Sequence, residues 1–321
     1  MSFDNRRRRV GLIKYVASTP VPLDLPRKHL IRDLILDVEP IIDITDVTQA
    51  PVLYTGGLGS ALKHIARVEI IANGRDTIKS ISGDAIGMKN MFLFGTKPKL
   101  TECGLTVAEH TCGGKILLPF AMPRSIREID TLLNSGKLAT LELIITYGPD
   151  NAMFSTDPTA FTVTSVDVEV HVNESIRLDR KDEPYASYME SYIEKAITAA
   201  TTEFQVLLNV GNRYRGFLIE CESDGNMVDT LLNKVTIKSG TDVFASIAFD
   251  ALQGENIIKY DLKTQTLIGY AYLDFCPEGR MVDCLDASRL SSLEMILDVN
   301  SVGSVDKIRV YPCEMIPPAP V

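Results

Sequence analysis

The sequence predicts an all-β fold of two tandem modules, each an eight-stranded sandwich or jelly roll, with a few short helices. The main observation is an internal duplication. Residues 74–90 return as residues 240–256 with seven of 17 positions identical, where chance gives about one. Residues 137–145 return as residues 289–297 with conservative changes only. A repeat on this scale is a duplicated domain rather than a solenoid unit.

The second observation is that apolar and polar residues alternate at period two, which is typical of strands with one buried face. In the first copy the predicted strands are residues 30–38, 65–71, 77–81, 115–120, 140–147 and 161–172. In the second copy they are residues 216–220, 235–240, 273–275 and 305–310. Successive strands are not separated by helical patterns, so a parallel α/β fold is not favoured.

Turn and helix signals divide these strands. Asn73-Gly74 is a strong hairpin signal between two predicted strands. Residues 83–94 are predicted to hold a short helix. Both copies keep an aspartate at its start, Asp84 and Asp250, and a helix-capping role is the favoured interpretation.

The predicted organisation has five parts. Tyr188, Tyr192, Ala196 and Ala200 recur at four-residue spacing after Pro184, which predicts a connecting helix. The parts are an N-terminal basic arm (1–19), a first jelly roll (20–183), the connecting helix (184–202), a second jelly roll (203–316) and a C-terminal tail (317–321).

The two copies differ in length between their matched blocks. The sequence offset is 166 at the first block and 152 at the second, so the first copy carries about 14 extra residues. We place them within residues 94–115 as a surface loop, because loops tolerate insertions. Residues 40–60 and 95–114 are predicted to be the most exposed segments.

Composition excludes several classes of protein. The net charge of −9 argues against a body that coats nucleic acid. No apolar run is long enough to span a membrane, and no secretory signal is evident. The six cysteines form no CxxC pair, which favours reduced, cytosolic synthesis. Cys103, His110 and Cys112 lack a fourth local ligand for a structural zinc site.

A search for catalytic motifs yields none. The four histidines form no His-x-His pair, the glycine-rich residues 56–60 lack the lysine of a phosphate-binding loop, and no Gly-x-Ser-x-Gly occurs. Neighbouring carboxylates are expected on solvated strand faces or in loops. The sequence therefore predicts no catalytic residue, no metal and no cofactor.

The strongest charge feature is a run of four arginines near the N-terminus. Two interpretations stay open: an arm that contacts anionic lipid or nucleic acid, or a disordered solubilising terminus. The nearby Leu12 and Ile13 favour a docking arm that becomes ordered on assembly. The four residues are Arg6, Arg7, Arg8 and Arg9.

The duplicated blocks also carry a resemblance. Residues 65–90 and 132–147, with their second copies at 232–256 and 284–299, resemble the double jelly-roll major capsid proteins of tailless icosahedral viruses. That lineage includes adenovirus and membrane-containing bacteriophages. The resemblance covers residues 20–316.

This resemblance implies a structural protein that is not an enzyme. Three chains of two modules would form a homotrimer with six similar units, a pseudo-hexagonal building block of an icosahedral shell. The implied partners are the chain itself, neighbouring capsomers, and penton and minor capsid proteins. The basic arm would face internal membrane lipid or the genome. The implied location is the virion, after synthesis in the host cytoplasm.

Two alternatives remain from the sequence. A two-module jelly-roll glycan hydrolase or amidase would need a cleft between modules lined by carboxylates and aromatics; the absence of tryptophan weakens this hypothesis. A vertex or receptor-binding virion protein would more often join one jelly roll to unrelated domains.

Overall fold

The computed structural model describes residues 4–316 except residues 57, 59, 96, 126, 177–183, 185 and 263–266. The strands of the N-terminal half are β1 (Asp4–Ile13), β2 (Pro20–Asp24), β3 (Leu30–Asp46), β4 (Val52–Leu53), β5 (Ile65–Ala72), β6 (Asp76–Ile81), β7 (Leu100–Thr101), β8 (Ala108–Thr111), β9 (Gly113–Pro119), β10 (Leu133–Asn134), β11 (Leu141–Tyr147), β12 (Phe154–Thr156) and β13 (Ala160–Ile176).

The strands of the C-terminal half are β14 (Ser187–Glu190), β15 (Ile193–Ile197), β16 (Thr201–Leu208), β17 (Arg213–Ser223), β18 (Asn226–Met227), β19 (Leu232–Ser239), β20 (Asp242–Ala248), β21 (Tyr270–Asp274), β22 (Leu285–Asp286), β23 (Leu293–Val299) and β24 (Asp306–Ile316). The helices are α1 (Gly83–Phe94) and α2 (Phe249–Lys259), with short 3₁₀ turns at Ala61–His64, Glu128–Thr131, Ser135–Lys137 and Met281–Asp283.

The eight principal strands of each half pair in the same way. In the first module the sheets run β1-β13-β3-β9 and β2-β11-β5-β6; in the second they run β15-β24-β17-β21 and β16-β23-β19-β20. Each strand of the first module thus has a counterpart with equivalent neighbours in the second. This confirms the predicted fold of two tandem eight-stranded jelly rolls.

The alternating pattern buries one face of each strand. In β11, Leu141, Leu143 and Ile145 point into the core, and the duplicated strand β23 has the same alternating burial. The predicted hairpin turn is confirmed, since Asn73 and Gly74 have φ of 53° and 71°. Two successive positive φ values define the type I′ turn that matches the twist of a two-stranded hairpin.

Helix α1 has the predicted bounds, but the predicted capping role of Asp84 is wrong. The cap is Ser82, whose side chain accepts a hydrogen bond from the Ala85 amide. Asp84 lies inside the first turn, and Asp250 of α2 accepts a hydrogen bond from the amide of the next residue, Ala251, whereas the N-cap of α2 is Ala248. Within the described residues, neither helix combines the length and apolarity needed to cross a membrane.

The predicted connecting helix over residues 184–202 is wrong. The described part of this segment contains β14 and β15, which pair antiparallel with β24, and the first residues of β16. Tyr188 and Glu190 are both buried, at a spacing of two. Non-local pairing with β24 therefore overrides the four-residue spacing of the apolar side chains. Tyr185 and the predicted tail (317–321) lie outside the described residues.

The N-terminal arm is not a separate appendage. Strand β1 pairs antiparallel with β13 along its whole length, from Asp4 opposite Ile176 to Ile13 opposite Val168. Ile13 is buried in the first module. Because β1 occupies the place that β15 holds in the second module, the arginine run belongs to the jelly roll. The expectations of a disordered terminus or an arm ordered only by assembly are both wrong for residues 4–13.

The two segments predicted to be most exposed are only partly so. Strand β3 continues to Asp46 and buries Ile42 and Ile44. In residues 95–114, Val107 is 57% exposed, yet Cys103 and Cys112 are buried. The extra residues of the first module therefore contribute these two side chains to a small apolar cluster that also contains Ile42 and Ile44.

Candidate functional site

The two modules meet at an interface organised by β14. This strand pairs antiparallel with β24 of the second module and, through Glu190 opposite Lys79, parallel with β6 of the first. One continuous sheet thus crosses from module to module. We call the residues around this crossing the inter-module interface.

A buried charge cluster fills the interface. The Glu190 carboxylate forms ion pairs with the amines of Lys89 and Lys79, and the Lys79 Nζ lies 3.1 Å from the Glu190 Oε2. The three side chains are at most 2% exposed. The Tyr188 ring lies against both amines, 3.9 Å from the Lys79 Nζ. Such a cluster fixes the relative position of α1, β6 and β14, because separating the charges would leave them without a partner or water.

Burial makes both of these amines easier to deprotonate. It lowers the pKa of Lys89 to about 7, with the Lys79 charge adding to the effect and the nearby Cys313 opposing it. The Lys89 Nζ also donates to the Cys313 Sγ at 3.0 Å. Burial lowers the pKa of Lys79 as well. The cluster can therefore reach neutrality around Glu190 without a second anion.

Helix α1 is enclosed at this interface, whereas its duplicate α2 is not. Eleven of the twelve residues of α1 are buried. Its Phe92 ring stacks on Tyr272 of the second module at 5.8 Å. Only three of the eleven residues of α2 are buried, and Ile258 is 84% exposed.

The same asymmetry holds for the strands beside the helices. Strand β6 is covered by β14, but its duplicate β20 is a sheet edge that no further strand of the described residues covers. It carries Val243 and Phe244, which are 57% and 38% exposed. The second module therefore presents an uncovered copy of the surface that the first module buries. Exposed apolar residues on an open edge mark an interaction site.

A polar cavity of about 400 Å³ lies beside the interface, between β5 and α1 on one side and β17 and β24 on the other. Its charged residues form a connected set. Arg309 binds Glu220 at 2.5 Å and Glu222 at 2.9 Å, and Lys63 lies 4.0 Å from both Glu222 and Asp84.

The carboxylates of the cavity are not equivalent. Burial acts to raise the pKa of Glu222, but the hydrogen bond and the positive charge of Arg309 outweigh it. The pKa of Glu222 is therefore lowered. Asp84 is enclosed, and burial raises its pKa to about 7 against the attraction of Lys63. Its Oδ1 has no hydrogen-bond partner among the described groups. Asp84 is thus a proton-exchanging group near neutral pH.

The arginine run lies along β1 as part of a ladder with β13. Arg8 binds both carboxylate oxygens of the buried Glu174, at 2.9 and 3.2 Å. Arg7 donates to Asn173, and Arg9 pairs with Glu169 at 3.1 Å. Arg6 and Arg7 are exposed at the outer strand of the sheet. The run is therefore partly neutralised and partly available to an anion.

The residues considered for zinc are brought together only in part. The thiols of Cys103 and Cys112 touch, but the Nε2 of His110 lies 2.8 Å from the Thr106 carbonyl. Residues 4–316, outside the gaps given above, hold no group of three or more metal-ligating side chains.

Sequence reasoning missed the charge cluster, although a signal was present. Within the repeat, Lys79 aligns with Ala245 and Lys89 aligns with Glu255. Both lysines belong to the copy whose helix is enclosed, and their counterparts lie on the open copy. Positions where duplicated modules differ in charge thus mark the surface that only one of them buries.

Comparison with known proteins gives no match to any family model and none to a curated protein sequence. Solved structures do match along the whole chain. The major capsid protein (MCP) of STIV, the Sulfolobus turreted icosahedral virus, superposes with a TM-score of 0.77 over 98% of this chain and 97% of that one, at 14% identity.

Two further matches are described as major capsid proteins. That of bacteriophage PM2 gives a TM-score of 0.64 over 98% of each chain at 12% identity. The Faustovirus protein gives 0.58 over 98% of this chain and 90% of that one, at 10% identity. The chain therefore shares the double jelly-roll fold of these proteins, and the predicted resemblance is confirmed at the level of fold.

Proposed function

We propose that the protein is a viral major capsid protein, a structural rather than catalytic component of an icosahedral shell. The observation that carries the proposal is the duplicated surface. Module one buries α1 against module two, whereas module two leaves α2 and the β20 edge open. The whole-chain likeness to capsid proteins supports the same conclusion.

The open surface predicts how copies of the chain associate. If α2 packs against the first module of the next chain much as α1 packs against the second module of its own, the contact is heterologous. Such a contact closes into a ring when the rotation allows. Three chains would then present six similar modules, which is the proposed pseudo-hexagonal homotrimer.

Light scattering after size exclusion tests the association. The native chain should have three times the mass of one chain, and Ile258→Asp on α2 should shift it to monomer. Leu207→Asp is the matched control. Leu207 is 69% exposed on β16, which forms the edge opposite β20 in the four-stranded sheet. A native monomer, or equal loss of the trimer in both variants, would contradict the proposal.

Electron microscopy of the assembled protein tests the shell itself. We propose neighbouring capsomers, penton and minor capsid proteins as further partners, and the virion as location after synthesis in the host cytoplasm. Copy number per particle separates this role from a vertex or receptor-binding protein, because a shell-forming protein must be the most abundant component.

We also propose that β1 faces internal membrane lipid or the genome through Arg6 and Arg7, which are exposed. Arg6→Glu/Arg7→Glu should weaken either co-sedimentation with anionic vesicles or retention of nucleic acid. Whichever of the two assays responds identifies lipid or nucleic acid as the ligand. The control is Lys234→Glu/Lys238→Glu on β19. Unchanged binding to both polyanions in the arginine variant would remove this role.

The glycan hydrolase alternative retains one favourable observation. The cavity between the modules is lined by Asp84, Glu220 and Glu222 together with Tyr54 and Tyr192. However, Arg309 holds Glu220 and Glu222 as a structural ion pair, which suits cohesion between modules. Glycan cleavage that disappears in Asp84→Asn, with the fold intact, would instead support the hydrolase.

A further inference from the structure

The extra segment of the first module brings two thiols together. Cys103 follows β7, Cys112 directly precedes β9, and their Sγ atoms lie 2.8 Å apart. Both side chains are buried, at 6% and 3% exposure. They belong to the small apolar cluster beneath this segment, with Ile42, Ile44, Ala61, Met153 and Phe154.

We propose that Cys103 and Cys112 are a disulfide-forming pair that closes residues 103–112 into a covalent loop. The strands on either side already hold the two ends in place. Strand β7 pairs with β9, and β8 pairs with the distal part of β3. A disulfide requires side chains that already face each other at short range, and here little backbone movement is needed.

The chemistry favours Cys103 as the attacking sulfur. A hydrogen bond with Cys112 lowers the pKa of Cys103, although burial opposes it. With a small-molecule disulfide as oxidant, the Cys103 thiolate attacks one sulfur and releases the first small thiol. The Cys112 thiolate then displaces the second. The two cysteines are oxidised, the small disulfide is reduced to two thiols, and these take up the two protons.

Peptide mapping tests the bond directly. Trypsin cuts after Lys99 and Lys115 and nowhere between, so one peptide, 100–115, carries both cysteines. The folded chain is treated with glutathione disulfide, denatured, alkylated with iodoacetamide and digested. We expect this peptide to lose two hydrogens and take up no alkyl group. Cys221, alone in peptide 216–234, should be alkylated and serves as the internal control. Full alkylation of both Cys103 and Cys112 would overturn the proposal.

Thermal denaturation tests whether the bond anchors the segment. We expect the oxidised chain to melt about 3–5 °C above the reduced chain, from loop-closure entropy in a chain of this size. Because the thiols of Cys276 and Cys284 are also hydrogen-bonded to each other, all forms are compared in a Cys276→Ser background. There the difference should vanish in Cys112→Ser and persist in Cys221→Ser. Comparing each variant with its own reduced form removes the general cost of the substitution. A difference that survives in Cys112→Ser would assign the effect to other cysteines and overturn the anchoring role.

Discussion

Asn90 and Asn256, which are 166 residues apart in the chain, make the same pair of hydrogen bonds in the two modules. The Asn90 side chain donates to the Leu117 carbonyl at 2.6 Å and accepts from the Leu117 amide at 2.7 Å. Asn256 does the same with Tyr272, at 2.7 Å for both bonds. Each asparagine thus ties a helix to the neighbouring strand by satisfying one backbone donor and one acceptor.

This equivalence predicts equal effects of substitution in the two modules. Asn90→Ala and Asn256→Ala should each lower the free energy of unfolding by about 1–3 kcal/mol, because each leaves two backbone groups unpaired. The double variant should be close to additive, since the two sites share no partner. Urea denaturation measures both quantities.

The exposed Asn151 provides the matched control, and Asn151→Ala should change stability by less than about 0.5 kcal/mol. If Asn256→Ala behaved like this control while Asn90→Ala was destabilising, the asparagines would not be structural equivalents.

Much of this framework is predictable from sequence, because it is local or duplicated. The sequence predicts helix α1 with its observed bounds after the hairpin, although its cap is Ser82 and not Asp84. The duplicated strands follow from alternation between turn residues. A local pattern of apolar and polar residues indicates which face of a segment is buried. Equivalent strands of the two modules bury the same face and therefore show the same pattern.

The segment containing Tyr188 and the arginine run were beyond such reasoning. The spacing of Tyr188, Tyr192 and Ala196 fits a helical face, but also places alternate residues on one face of a strand. The partner strand decides whether such a segment forms a strand. Strand β14 pairs with β24 and β1 pairs with β13, and each partner is more than 100 residues away in the chain. Contacts of that range leave no local pattern in a single sequence.

Glu190 should be the most sensitive charge in the protein. Glu190→Gln removes the carboxylate that pairs with Lys79 and Lys89. Because burial already favours loss of a proton from these amines, part of the loss is offset, and we expect a cost of about 3 kcal/mol, the lower end for a broken buried pair. Thermal or urea denaturation measures the loss. The control is Glu294→Gln. Glu294 forms a long ion pair of 4.0 Å with the partly exposed Lys238, and exposed pairs of this kind contribute little to stability. Equal effects of the two substitutions would mean that the buried cluster does not hold the modules together.

Asp84 should make stability fall as pH rises toward neutrality. Its pKa is about 7 in the folded protein and near 3.9 in an unfolded chain, so the folded state keeps a proton that the unfolded state releases. Stability from this group is complete below about pH 4 and is lost as pH rises through 7, by about 2–4 kcal/mol in all.

Asp84→Asn should remove this slope and raise the free energy of unfolding at pH 8 relative to the native chain. Denaturation at pH 5 and pH 8 measures both effects. Asp250→Asn is the matched control, because Asp250 occupies the duplicated position but is exposed. A slope that survives in Asp84→Asn would assign the dependence to another group.

Neighbouring arginines of β1 should differ in their effect on stability. Arg8 binds both oxygens of Glu174, a carboxylate that is 1% exposed, so Arg8→Ala leaves a buried charge without its partner. Because Arg8 is itself 35% exposed, water offsets part of the loss. We expect a decrease of about 1–2 kcal/mol, or about 1.5–3 °C in melting temperature. Arg6→Ala, at an exposed position on the same strand, should change the melting temperature by less than about 1 °C. If Arg8→Ala were as mild as Arg6→Ala, the Arg8–Glu174 pair would not contribute to the stability of the fold.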